Sequence, residues 1–189
     1  RVARRRPIGA WATAYETPDF SDAKVLTAVD GSLYVDGVDL GSTLPVGKYI
    51  LKSNIESIHL LYVKEGEVMI NLNGYTWDLN DGDIRVRSTL SIYDTSADQT
   101  GKICSDRRVI YLDNPNGASL FNLYSGTLES RGATNWTLDA SWGSANLYGG
   151  TIKGNGAGVM YYLSLPNVIQ VIGTEINSGA GQPQCRGVL

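Results

Sequence analysis

The chain has 189 residues, 42% hydrophobic and 19% charged, with a net charge of −3, the composition of one globular domain rather than a disordered segment. Setting aside the four arginines among the first six residues leaves 12 basic against 19 acidic residues, so the body lacks the contiguous basic face that nucleic-acid binding requires. No apolar run approaches the roughly 18 residues that membrane insertion needs, and 22 glycines, well above a usual share of about 7% with no three-residue period, predict many tight turns.

The chain opens on Arg1, Arg4, Arg5 and Arg6, which read as a solvated arm or a processing-type sequence, with polyanion binding as the alternative. Beginning on Arg rather than Met, it is expected to be an excerpt or processed product of something longer. Ser21 to Leu26 offer an N-cap serine and a short amphipathic turn. Asp30-Gly31 and Asp36-Gly37 are two-residue hairpin signals, and the short apolar runs 33–35 and 38–40 flank the second. Residues 1–46 are thus expected to form an arm and cap with a β-hairpin, and residues 47–189 the body.

Within the body, Val68-Met69-Ile70-Asn71-Leu72, Ile84-Arg85-Val86-Arg87 and Leu90-Ser91-Ile92-Tyr93 alternate with period two and read as short strands. Residues 122–130 (NLYSGTLES) realign after 24 residues with 146–154 (NLYGGTIKG) and after 24 more with 170–178 (QVIGTEINS). Apolar residues recur at 123, 147 and 171 and at 128, 152 and 176. Weaker echoes pair Leu112-Asp113 with Leu138-Asp139, and lead upstream through Gly101, Gly74 and Gly47. A unit of 24 residues is too short for a βαβ crossover, which takes about 30. It suits one coil of a β-solenoid, whose strands pair with their equivalents in the next coil and whose inward side chains stack. The prediction is an all-β parallel β-helix of five or six coils. A non-repeating segment must cover its first open edge.

The run 44–51 (LPVGKYIL), then 68–76 (VMINLNGYT), then Leu90-Ser91-Ile92-Tyr93-Asp94 closing in Gly101-Lys102-Ile103, resembles the pectate-lyase-like right-handed parallel β-helices of bacterial surface and secreted proteins. Gly149-Gly150-Thr151-Ile152 resembles the coil motif of that family, and the resemblance covers roughly residues 44 to 178. It implies the right hand of the helix, an extracellular or cell-surface setting, and a role in adhesion or with polysaccharide. It implies no reaction. Lyases and hydrolases on this fold carry paired Asp, Arg or Lys bases, and sometimes Gly-His-Gly, on one face. The single His59 follows Ile58, so the last motif is missing.

Candidate chemistry is sparse. Asp78-Leu79-Asn80-Asp81-Gly82-Asp83 has the density of a calcium loop, but Asp83 stands where such a loop needs glycine and Thr89 where it needs Glu. It reads instead as a corner between strands, and no metal or cofactor site is expected. Cys104 and Cys185 lack neighbours at metal-ligand spacing. A long-range disulfide and two separate thiols remain equal readings. His59 reads as a half-buried side chain in an apolar run. Asp113 and Asp139, at echoing positions, are the only carboxylate pair placed for glycoside chemistry, and each is also suited to bonding the turn that follows it. Eleven Tyr and four Trp against two Phe favour rings with a polar handle. Trp136, placed opposite Met160, with Tyr124, Tyr148, Tyr161 and Tyr162, are the candidate ligand-binding residues, aromatic stacking that stabilises the helix being the alternative. The expected function is a non-enzymatic module that binds glycans or surface proteins through repeated shallow contacts, or a purely structural one. A polysaccharide lyase or glycoside hydrolase, or a phage tail-spike segment, is the alternative. A cluster of charged residues on one lateral face of three consecutive coils would mark the enzyme.

Overall fold

The computed structural model describes residues 15–58, 60–133, 136–160 and 167–178. It contains nineteen strands and no helix among these residues. Lys24–Val29 (β1), Ser32–Val35 (β2) and Val38–Asp39 (β3) form an antiparallel meander. Both predicted hairpin turns form, with φ of 50° and 81° at Asp30 and Gly31 and of 52° and 77° at Asp36 and Gly37, the left-handed pair that a two-residue turn requires. The segment Ser21 to Leu26 is not a helical turn. Asp19 caps the bend by accepting from the Ser21 amide at 2.8 Å. The chain then extends into β1, whose Val25 and Leu26 pair in parallel with Ile50 and Leu51.

From Gly47 onward each coil lays one strand on each of three sheets. The first is Gly47–Leu51 (β4), Ile55–Glu56 (β5) and Leu61–Val63 (β6); the second is Glu67–Asn71 (β7), Thr76–Asp78 (β8) and Ile84–Val86 (β9). The third is Thr89–Tyr93 (β10), Lys102–Ser105 (β11) and Ile110–Asp113 (β12). Ser119–Leu123 (β13), Thr127–Ser130 (β14) and the first half of Trp136–Leu147 (β15) make the fourth. The second half of β15, Thr151–Gly154 (β16) and Ala157–Met160 (β17) make the fifth, and Ile169–Val171 (β18) and Glu175–Ser178 (β19) begin a sixth. We call the sheets A (β1 to β4, β7, β10, β13, β15, β18), B (β6, β9, β12, β15, β17) and C (β5, β8, β11, β14, β16, β19). All pairing between coils is parallel. The protein is a parallel β-helix of about six turns with about 24 residues per coil.

The core is three sets of stacked columns. Tyr49, Ile70, Ile92, Leu123, Leu147 and Val171 align on sheet A. Ile55, Trp77, Ile103, Leu128, Ile152 and Ile176 align on sheet C, and Leu61, Ile84, Ile110, Leu138 and Val159 on sheet B. All but Val171 and Ile176, the last members of the A and C columns, are buried, each contributing about 1.5–3 kcal/mol of apolar burial. The polar ends of the large rings are satisfied, with Trp77 Nε1 donating to Ser57 Oγ at 3.0 Å and the Tyr49 hydroxyl to Pro45 O at 2.7 Å. The predicted 24-residue register from 122 to 178 is reproduced residue for residue. The upstream echo holds only in part: Gly101 aligns with Gly126 just before sheet C, and Gly74 lies within one residue of that position, but the step to Gly47 fails. Gly47 lies on sheet A opposite Val68, whereas Gly74 precedes sheet C, so the two are not equivalent. The inward columns, not the glycines, define the coil.

Residues 15–22 lie outside sheet A as a strap. Lys48 Nζ donates to Asp19 O and to Asp22 Oδ1, both at 2.7 Å. Phe20 packs edge-on to Tyr93 with centroids 5.4 Å apart, and Tyr15 meets Tyr124 at 5.4 Å and Tyr148 at 4.1 Å. The strap thus contacts strands from β4 to the end of β15.

Candidate functional site

The outer face of sheet B gathers the charged and aromatic residues of several coils. Alternation in β9 turns Ile84 and Val86 inward and Arg85 outward, with Arg87 following beyond the strand. Register then aligns Tyr62, Arg85, Tyr111 and Asp139 in one outward row. Asp113 and Trp142 stand opposite each other in the neighbouring row, where Asp113 also binds Arg87. The Arg85 guanidinium lies 5.9 Å from the Tyr62 ring and 5.6 Å from that of Tyr111, and Arg108 is 4.1 Å from Tyr111. Arg87 and Lys64 sit 5.1 and 5.5 Å from Tyr62. These are cation–π distances.

Carboxylates lock the row. Arg108 bridges Asp83 Oδ2 at 3.1 Å and Asp139 Oδ2 at 3.0 Å. Asp83 also accepts from Arg85 Nε at 3.2 Å, and Asp113 Oδ2 takes both Nε and Nη2 of Arg87. Burial and then the Asp139 and Asp113 carboxylates push the Tyr111 hydroxyl above its ordinary value. Beside this network opens a groove of about 590 Å³ lined by Lys64, Arg87, Asp113, Asn114, Pro115 and Trp142. The Trp142 indole is 39% exposed, and Lys64 makes no ion pair among the described residues. Four cations thus meet three carboxylates on an otherwise acidic body.

Asp113 and Asp139 do not occupy equivalent positions. Asp139 pairs with Tyr111, and Asp113 with Trp142, across a bulge between Tyr111 and Asp113. Asp139 is spent on structure: its Oδ2 takes Arg108, while its Oδ1 takes the Ser141 amide and hydroxyl. Trp136 is half-buried and stands opposite Ala157 rather than Met160. Tyr124 and Tyr148 are in register as expected, stacked at 4.8 Å, and Tyr93 extends the ladder at 4.4 Å with near-parallel rings. Their faces are turned to one another, and Phe20 and Tyr15 pack against the stack, so no ring face is left open to a ligand. Tyr161, Tyr162, His59 and Cys185 lie outside the described residues. Sequence reading passed over Trp142, Tyr62 and Tyr111; the Arg-x-Arg alternation at 85 and 87 was the available signal for this face.

Sheet C carries a second charged row. Lys102 and Lys153 both bind Glu129, at 2.8 and 2.9 Å, and hold its carboxyl below the usual range. Arg131 bonds Asp78 and Asp106 and contacts Cys104 Sγ at 3.7 Å. Burial, then Asp78, pushes the Cys104 thiol up to about 11, so it is not a thiolate at neutral pH. The acidic stretch at 78–83 forms the expected corner, with Asp78 Oδ1 accepting from the Asn80 amide and Asn80 at φ 53°. Comparison of the chain with known protein families, with curated proteins and with solved structures finds no match.

Proposed function

We propose that this chain is a non-enzymatic, glycan-binding module of a bacterial surface or secreted protein, and that it binds along the outer face of sheet B. The observation that carries the reading is Trp142, a large exposed ring beside Lys64, which makes no ion pair among the described residues, and the groove they share with Arg87 and Asn114. An indole offers a sugar ring an apolar platform, and the Lys64 and Arg87 cations offer its hydroxyls hydrogen bonds. The aromatic and charged rows repeat at the strand spacing of about 4.8 Å, so an extended chain laid along the axis would meet several shallow contacts in succession.

One observation favours the enzymatic reading: charged residues do cluster on one lateral face of three consecutive coils. Against it, each carboxylate in the cluster is already engaged by a guanidinium, and Asp139 uses both of its oxygens within the protein. A glycan array with the purified chain, followed by a reducing-end assay on every glycan bound, separates the two. Binding without cleavage, weakened at least tenfold by Trp142→Ala, is the expected result. Cleavage abolished by Asp139→Asn would establish the enzyme instead.

A further inference from the structure

The outer face of sheet A carries two rows that cross the coils. One is a hydrogen-bonded ladder. Glu67 Oε1 accepts from Ser91 Oγ at 2.8 Å, Ser91 Oγ from Asn122 Nδ2 at 3.1 Å, and Asn122 Oδ1 from Asn146 Nδ2 at 2.9 Å. The other is the ring stack of Tyr93, Tyr124 and Tyr148. Side chains pointing away from a solenoid's core are ordinarily exposed. Here Ser91 is fully buried, and Tyr93 and Asn122 are each only 6% exposed. Among the described residues, the strap, residues 15–22, packs on the ring stack at that side through Tyr15 and Phe20.

No residue of the strap belongs to a strand. It is held by Tyr15 and Phe20 against the ring stack and by Lys48 on Asp19 and Asp22. An extended segment anchored in a groove by spaced side chains is a peptide-recognition geometry. The strap joins the body at a single bend, where the Ala23 amide donates to Phe20 O at 3.1 Å. A segment hinged at one bend can leave its own groove and enter that of a neighbour with its contacts unchanged, which makes exchange between identical chains cheap. Charge agrees, since the strap brings Glu16, Asp19 and Asp22 to a site that offers Lys48. We propose that residues 15–22 are an exchangeable strap: the outer face of sheet A takes it within one chain and takes the same segment from a second copy, linking chains.

The test uses the full-length chain and a fluorescent synthetic peptide with the sequence of residues 15–22. Tyr15→Ala/Phe20→Ala weakens the chain's own strap and leaves the groove intact. Its receptor is expected to bind the peptide saturably and at least tenfold more tightly than wild type, and the further change Tyr124→Ala to reduce that binding at least fivefold. Wild type is expected to form dimers in sedimentation as its concentration rises, and the double variant to remain monomeric. Absence of saturable binding to a variant that keeps the wild-type circular dichroism overturns the proposal. So do equal binding to both chains and a wild type that stays monomeric at every concentration. Tyr15→Ala alone, which touches only the outer rings, serves the same comparison if the double variant does not fold.

Discussion

Replacing Arg108 by Met isolates the energetics of the sheet B network. Among the described residues, Arg108 is the one group joining Asp83 to Asp139, so its loss leaves Asp139, 2% exposed, with only Ser141 as partner there, while Asp83 keeps Arg85. Breaking a buried ion pair costs roughly 3–5 kcal/mol. The Arg108 side chain is 21% exposed, and solvent screening brings the expected loss to about 2–3 kcal/mol at pH 7. For a domain of this size that is a fall in Tm of about 5–10 °C. Urea unfolding at pH 7 measures the loss. Arg108→Met/Asp139→Asn should recover at least half of it. A loss below about 1 kcal/mol would refute the assignment of Arg108 as the clamp on a buried carboxylate.

Gly143→Ala should destabilise the fold by about 2–3 kcal/mol in urea melts, because a Cβ there would lie 2.6 Å from both Cβ and the carbonyl oxygen of Ser119 where β15 passes from sheet B to sheet A; Gly37→Ala, which meets open space at φ +77°, should cost about 1 kcal/mol through backbone strain alone. Hydrogen bonds from Lys102 and then Lys153 depress the Glu129 carboxyl, so its contribution is full above the unfolded pKa of about 4.3 and is lost as pH falls through the folded value. Glu129→Gln should therefore be about 1 kcal/mol less stable than wild type at pH 7 and equal to it near pH 2.5 in thermal melts.

The coil was legible where its signal was an inward column. Leu123, Leu147 and Val171, and Leu128, Ile152 and Ile176, recur at a fixed interval because each stacks on the one before it, and the pairing follows that interval. Reading failed where corners change length. Residues 94–101 and 114–118 are long corners on either side of β11 and β12, so Tyr93 joins Tyr124 in the ring stack although no fixed interval relates them. The register set at Ile110 and Leu138 puts Asp139 opposite Tyr111, two residues from the Leu-Asp echo, and a bulge beyond it in β15 then brings Trp142 to Asp113; sequence spacing registers neither shift. Ser21 to Leu26 offered a cap serine and a short amphipathic turn, but Lys24, Val25 and Leu26 enter β1, where β4 supplies Tyr49, Ile50 and Leu51 as parallel partners.

By itself the sequence determined the class of the fold, its repeat and its hairpin, since turn residues and inward side chains act on near neighbours along the chain or one coil away. The tertiary structure decided which faces carry chemistry. The cation–aromatic rows of sheet B depend on corner lengths summed over several coils, and the cover on sheet A depends on Tyr15 meeting Tyr148, residues far apart in the chain. Contacts of that kind leave no periodic trace, because nothing in the local backbone energy of either segment requires the other.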